Sequence, residues 1–271
     1  MSQFSDCFLL VFGQLAVGGL AGLAVPPFAV LQRGFYKSSA GLFLGCALLF
    51  LFGKVALAWR ATGRPEQQWE IAIWTAFAIA TAGYLASLWQ DGPRWRARLY
   101  PLALLLGVVA LCTSASVHRL GPFFSAATLL YPLAFVTGAL ALGAVATGML
   151  LGHWYLIDLG LSIEPLRRLF RYFMTVLVLD LVVLAVTVAA MAATPAGRAA
   201  VATLWHDHRL LLVARFLFGP LAALGLGLMI QRTLRIPQTM AATGLFYIAM
   251  LAVMVGELLG RLILFRTSLP L

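Results

Sequence analysis

Eight stretches of about 17–25 apolar residues, separated by short polar linkers, constrain this chain more than any other feature. A helix needs roughly 20 such residues to cross a hydrocarbon core of about 30 Å. The spacing predicts spans over 8–30, 41–59, 71–89, 101–117, 124–152, 172–193, 210–230 and 240–264. Only 10% of the 271 residues are charged and 62% are hydrophobic, too little charge to cover a water-soluble surface. Strand-like alternation is missing, and backbone groups in lipid must bond within their own segment, which leaves helices as the spanning elements. The expected fold is an all-α polytopic membrane bundle of one domain, 1–271. The fifth run is long enough to tilt or project. The linkers around 153–171 and 194–209 are the longest.

The leader Met1–Asp6 has no Lys or Arg and carries Asp6, unlike the basic start of a cleaved signal peptide. It predicts a membrane-embedded first span with its start outside. Loops after odd-numbered spans then hold ten basic residues: Arg33, Lys37, Arg94, Arg96, Arg98, Arg167, Arg168, Arg171, Arg232 and Arg235. The opposite face holds seven: Arg60, Arg64, Arg119, Arg198, Arg209, Arg261 and Arg266. The excess favours both ends outside. A net charge of +10 scattered over two faces makes no basic stripe for nucleic acid, so anionic lipid and acidic partner surfaces are the expected counter-charges. Trp59, Trp69, Trp89, Trp95 and Trp205 fall at span ends, where an indole is stable at the lipid–water boundary. Cys7, Cys46 and Cys112 are scattered without metal-ligand spacing and read as packing residues.

Ionisable residues inside spans are the candidates for function. Glu257 and Arg261 are four apart on the last span, in the acid-then-base order that favours pairing, and Gly256 and Gly260 interleave with them as a GxxxG pair. They read either as a salt bridge stapling the helix or as part of a polar pocket that moves protons or orients a head group. Asp180, with no basic residue four away, needs a partner on another helix; Lys54 and Arg215 are the other charges within spans. A Lys54–Asp180 contact is one option. At the end of the fifth span, His153, Trp154, Tyr155 and Asp158 make either an aromatic belt or a site for a quinone head group. There, imidazole and hydroxyl would bond the carbonyl oxygens and the acid would relay protons. The histidines number four, and His118 and His153 belong to opposite faces, which disfavours a haem ligated by two of them. His206 and His208 share a polar loop, a weak metal signal.

Both ends of the chain resemble one family. Phe12-Gly13-Gln14 followed by Val17-Gly18-Gly19 is similar to the opening helix of the membrane-anchor subunit of DMSO reductase. Gly256-Glu257-Leu258-Leu259-Gly260-Arg261 with Phe265 resembles its last helix, G-E-x-x-G-R-x-x-F-Y, with Phe265 in the place of the Tyr. The match covers about a tenth of the chain. The resemblance implies eight spans and a quinol (menaquinol or ubiquinol) bound among the helices, with no haem or iron–sulfur cluster in this chain. It also implies an iron–sulfur electron-transfer partner, a catalytic molybdenum subunit, and a bacterial or archaeal cytoplasmic membrane. The family's reductase branch has a His after the second helix; here Trp59 to Glu66 contains none, so Arg60 and Glu66 would have to serve instead.

The expected function is thus a quinone-interacting anchor of a respiratory oxidoreductase. Its candidate residues are Glu257 and Arg261 first, Arg60 and Glu66 second, and His153, Tyr155 and Asp158 as a competing site on the other face. A structural scaffold without a working quinone site is the main alternative. A transporter ranks lowest, because Pro26-Pro27 has no counterpart in a second repeat.

Overall fold

Helix formation follows directly from the apolar runs, whose backbone groups have no partner in lipid other than their own. The computed structural model describes residues 2–60, 65–90, 93–118, 126–158 and 160–271. Their order is α1 (Ser2–Gly22), α2 (Arg33–Arg60), α3 (Pro65–Ser87), α4 (Pro93–Ser116), α5 (Ala126–Trp154) and α6 (Glu164–Ala192). There follow α7 (Pro195–Asp207), α8 (Arg209–Phe216), a π-helical turn (Leu217–Leu221), α9 (Ala222–Arg235) and α10 (Thr239–Thr267). Segment α8–π–α9 acts as one crossing, so eight helices are long and apolar enough to span a membrane. The chain is an integral membrane protein with an all-helical fold.

Several helices start about two turns before their apolar run. Helix α4 includes Arg94, Trp95, Arg96 and Arg98, and α6 includes Glu164, Arg167, Arg168 and Arg171. The helical ladder continues through the headgroup layer, where long cationic side chains reach water and indoles rest at the boundary. Trp69, Trp89, Trp95 and Trp205 are indeed exposed at helix ends. The first helix deviates the other way: it stops at Gly22 although the apolar run continues. Pro26-Pro27 cannot extend a helix, and Tyr36 Oη instead donates to the Pro26 carbonyl at 2.9 Å. The stretch expected as a linker after the sixth span is largely helical. Thr194 caps α7 by accepting from Gly197 N at 3.1 Å, with Pro195 at the first helical position.

Helices α1 and α5 cross at the centre of the bundle on glycine. A Cβ on Gly18 would overlap the Ala139 carbonyl, and one on Gly143 would overlap the backbone of Gly18. Such contacts let backbones meet where lipid supplies no hydrophobic drive between helices. Helix ends sort onto two faces. His118 meets Phe265 edge-on at 4.9 Å and Tyr131 Oη donates to the Ser268 carbonyl, which puts the end of α4, the start of α5 and the end of α10 on one face; Cys7, within electrostatic reach of Arg266, adds the start of α1. Trp154 against Phe35 and Gln32 with Asp158 mark the other.

Candidate functional site

Helix α10 brings Glu257 and Arg261 to its buried face, and three other helices supply their partners. Arg261 Nη2 donates to Glu257 Oε2 at 3.0 Å, and Arg215 Nη2, from α8, to Oε1 at 2.8 Å. Gln14 on α1 joins the pair: its Nε2 donates to Glu257 Oε2 at 3.1 Å, and its Oε1 accepts from Arg261 Nε at 3.0 Å. The Arg261 guanidinium also stacks 4.0 Å above the Phe135 ring of α5. Gln14, Arg215, Glu257 and Arg261 are 0%, 4%, 2% and 1% exposed. Asp180 accepts from Thr137 Oγ1 at 2.7 Å and lies within electrostatic reach of Arg215 and Glu257, so two carboxylates balance two guanidinium groups.

Glycine makes room for these long side chains. A Cβ on Gly138 would sit 2.5 Å from Glu257 Oε2; one on Gly256 would sit 2.5 Å from Gly219 Cα and 2.8 Å from Arg215 Nη1. One on Gly260 would fall 2.9 Å from Arg215 Nε. The GxxxG pair therefore does two jobs: it admits the neighbouring helix and forms the slot along which Arg215 reaches Glu257. The π turn next to this slot has its own cause, since Pro220 lacks the N–H that the ladder requires.

A second polar cluster lies toward the face that carries the start of α1. Lys54 Nζ on α2 pairs with Glu70 Oε2 on α3 at 3.3 Å. Ser114 Oγ on α4 donates to Glu70 Oε1 at 2.5 Å, and Trp74 Nε1 donates to Ser114 Oγ at 3.0 Å. Asp6 is within electrostatic reach of Lys54 and Glu70. His118 stands at the rim, where burial and then the nearby Lys54 charge depress its pKa to about 4, leaving a neutral imidazole at pH 7. Between α1 and α2 opens a cleft of ≈ 570 Å³ walled by Phe4, Phe8, Phe12, Leu49 and Gly53, with neither Lys54 nor Glu70 in its lining. Phe8 stacks against both Phe4 and Phe12, with centroids 5.8 and 5.4 Å away. Gly53 and Phe12 on the cleft wall are followed directly by Lys54 and Gly13, and Gly13 abuts the Trp74 ring.

The residues expected from sequence fall into three situations. Glu257 and Arg261 come together as anticipated, inside an interlocked network; neither lines this cleft or the smaller groove of Phe8, Phe12, Met254, Val255 and Leu258 between α1 and α10. The side chains of Arg60 and Glu66 lie outside the described residues. His153, Tyr155 and Asp158 share one face but turn to separate partners. His153 Nδ1 is 3.4 Å from Tyr247 Oη, Tyr155 Oη donates to the Ser162 carbonyl at 2.6 Å, and Asp158 Oδ2 accepts from Gln32 Nε2 at 3.0 Å. Burial raises the Tyr155 hydroxyl to about 12. His118 and His153 lie against Phe265 and Tyr247, which are about 27 Å apart along α10 at 1.5 Å per residue. The Lys54–Asp180 option is replaced by two pairs, Lys54–Glu70 and Thr137–Asp180. Reading the third span from residue 71 put Glu70 outside the membrane and hid the partner of Lys54.

Comparison of the chain with protein-family models, curated proteins and solved structures finds no match.

Proposed function

We propose that this chain is a quinone-interacting membrane anchor of a multisubunit respiratory oxidoreductase in a bacterial or archaeal cytoplasmic membrane, with the quinone in the cleft between α1 and α2. One observation carries the reading: an aromatic-walled cleft of ≈ 570 Å³ between α1 and α2 has as a wall residue Gly53, the direct neighbour in sequence of Lys54, whose ion pair with Glu70 is backed by a hydroxyl and an indole. A quinone is a flat ring on an apolar tail, which suits the ladder of Phe4, Phe8 and Phe12. When bound, it supplies two-electron chemistry in which reduction to the quinol takes up two electrons and two protons. Lys54 offers a donor to a head-group oxygen. Glu70 and Asp6 are carboxylates placed to pass protons toward the aqueous face. Electrons would be exchanged with an iron–sulfur subunit docked on that face, itself joined to a catalytic subunit, as the resemblance of both chain ends implies.

Organic extraction of protein purified in mild detergent should release quinone, and an iron–sulfur protein should co-purify. Binding of a quinone analogue, followed through indole fluorescence, should weaken about tenfold on losing one charged hydrogen bond in Lys54→Met. Unchanged affinity in both Lys54→Met and Phe8→Ala, with the fold intact, would remove this site. A structural scaffold is the second reading, favoured by the Gln14–Arg215–Glu257–Arg261 network, whose acid is fully engaged and none of whose residues lines either apolar cleft. A chain that binds no quinone at saturation while still retaining its partner would establish that reading.

A further inference from the structure

On the face opposite the Lys54 cluster, where α6 begins and α9 ends, lies a third cleft of ≈ 360 Å³. Helix α6 lines it with Glu164, Arg167, Phe170 and Arg171, and α9 with Gln231, Leu234 and Arg235. Three guanidinium groups therefore face one carboxylate. That carboxylate is already answered: Glu164 Oε1 accepts from Arg171 Nη2 at 2.9 Å and lies 3.4 Å from Arg168 Nε. Arg167 donates to a neutral acceptor, the Leu234 carbonyl, at 3.0 Å. This bond fixes its position across the gap between the helices while leaving its charge uncancelled. Arg235 has no acid partner among the described residues. The cleft thus carries two uncompensated positive charges over a floor of buried Phe170 and Leu234.

We infer that this cleft binds the phosphate head of an anionic phospholipid. The required chemistry is a phosphate oxyanion held by two guanidinium groups, a geometry that arginine matches well. Placement selects the lipid. The spans in α6 and α9 end at Glu164 and Arg235, so the cleft sits at headgroup level, and its apolar floor continues into the acyl layer. Basic pockets between helices at that depth are where anionic head groups lodge. Gln231 adds an amide that can bond glycerol hydroxyls. The site is separate from the quinone cleft, and its occupancy would tie α6 to α9 across their outer ends.

The test uses the full chain in detergent, titrated with phosphatidylglycerol, phosphatidylcholine or inorganic phosphate, with bound lipid counted by native mass spectrometry and stability by thermal melting. Phosphatidylglycerol should be retained over phosphatidylcholine and should raise the melting temperature. The preference should fall roughly fivefold for each guanidinium lost in Arg167→Gln and Arg235→Gln, following the contribution of one cation near an anionic surface. Arg198→Gln, on the far face, should change nothing. Arg235 is exposed and has no ion pair among the described residues, so Arg235→Gln decides the matter if the Arg167 variant fails to fold. A preference that survives in Arg235→Gln would overturn the proposal. So would an equal stabilisation by inorganic phosphate, which would make this a free-anion site.

Discussion

Among the described residues, two buried ion-pair clusters link different helices, and they differ in what surrounds them. The Gln14–Arg215–Glu257–Arg261 network is enclosed: four helices meet around it, Gly138, Gly256 and Gly260 leave room for its side chains, and none of its four residues lines either apolar cleft. The Lys54–Glu70 cluster is held by a longer 3.3 Å ion pair, Lys54 follows Gly53 on the wall of the large aromatic cleft, and a neutral histidine lies within its electrostatic reach. Charge in a membrane marks importance in both cases. Their different surroundings are the ground for reading the first as a group that holds helices together and proposing the second as the one that faces a ligand.

The largest expected effect lies in the enclosed network. Glu257→Ala leaves two guanidinium groups buried without their acid and should destabilise by about 3–5 kcal/mol, measured by denaturant unfolding in detergent. An equal loss from Lys54→Met would erase the contrast between the clusters. Gly256→Val tests the slot itself. Its Cβ would strike Gly219 Cα and crowd Arg215 Nη1, so about 1–3 kcal/mol should be lost, visible as a lowered melting temperature. Glu70→Gln keeps the shape and both oxygen-side contacts partly intact, and should cost about 1 kcal/mol in stability while weakening quinone-analogue binding.

The remaining effect concerns pH. His118 has its pKa depressed to about 4 in the folded protein against an ordinary 6.5, so between these values the unfolded chain binds more protons than the folded one. Stability should therefore be fully present above pH 6.5 and decline as pH falls toward 4. His118→Asn should flatten that part of a melting-temperature profile; an unchanged slope would place the proton uptake elsewhere.

The two clusters were also unequally legible in sequence. Eight spans follow from apolar run length alone. The Glu257–Arg261 pair follows from i,i+4 spacing on one helix, and Gly256 and Gly260 from their repeat. What spacing within a helix cannot convey is which residue of another helix arrives, so Arg215 and Gln14 entered only as a lone charge and part of a motif. Glu70 was missed for a different reason. Its charge ended the apolar run, although the helix continues through the headgroup layer and turns the carboxylate inward to Lys54. The same cause hid the first two turns of α2, α4 and α6. Helix α7 was missed because its 13 residues are too short to span and carry Arg198, His206 and Asp207, which read as a polar linker. His153, Tyr155 and Asp158 fall together at the end of α5, but adjacency in sequence gave no sign that their side chains turn to separate partners.

Quinone-analogue titration of Glu70→Gln and Glu257→Gln side by side, each with its melting temperature recorded, tests the division between the clusters most directly. The expected result is a reduced affinity with a near-normal melting temperature in Glu70→Gln, where Lys54 loses the carboxylate that orients it, and retained affinity with a strongly lowered melting temperature in Glu257→Gln. Affinity lost in a stable Glu257→Gln protein, and kept in Glu70→Gln, would contradict it and return the quinone to the end of α10.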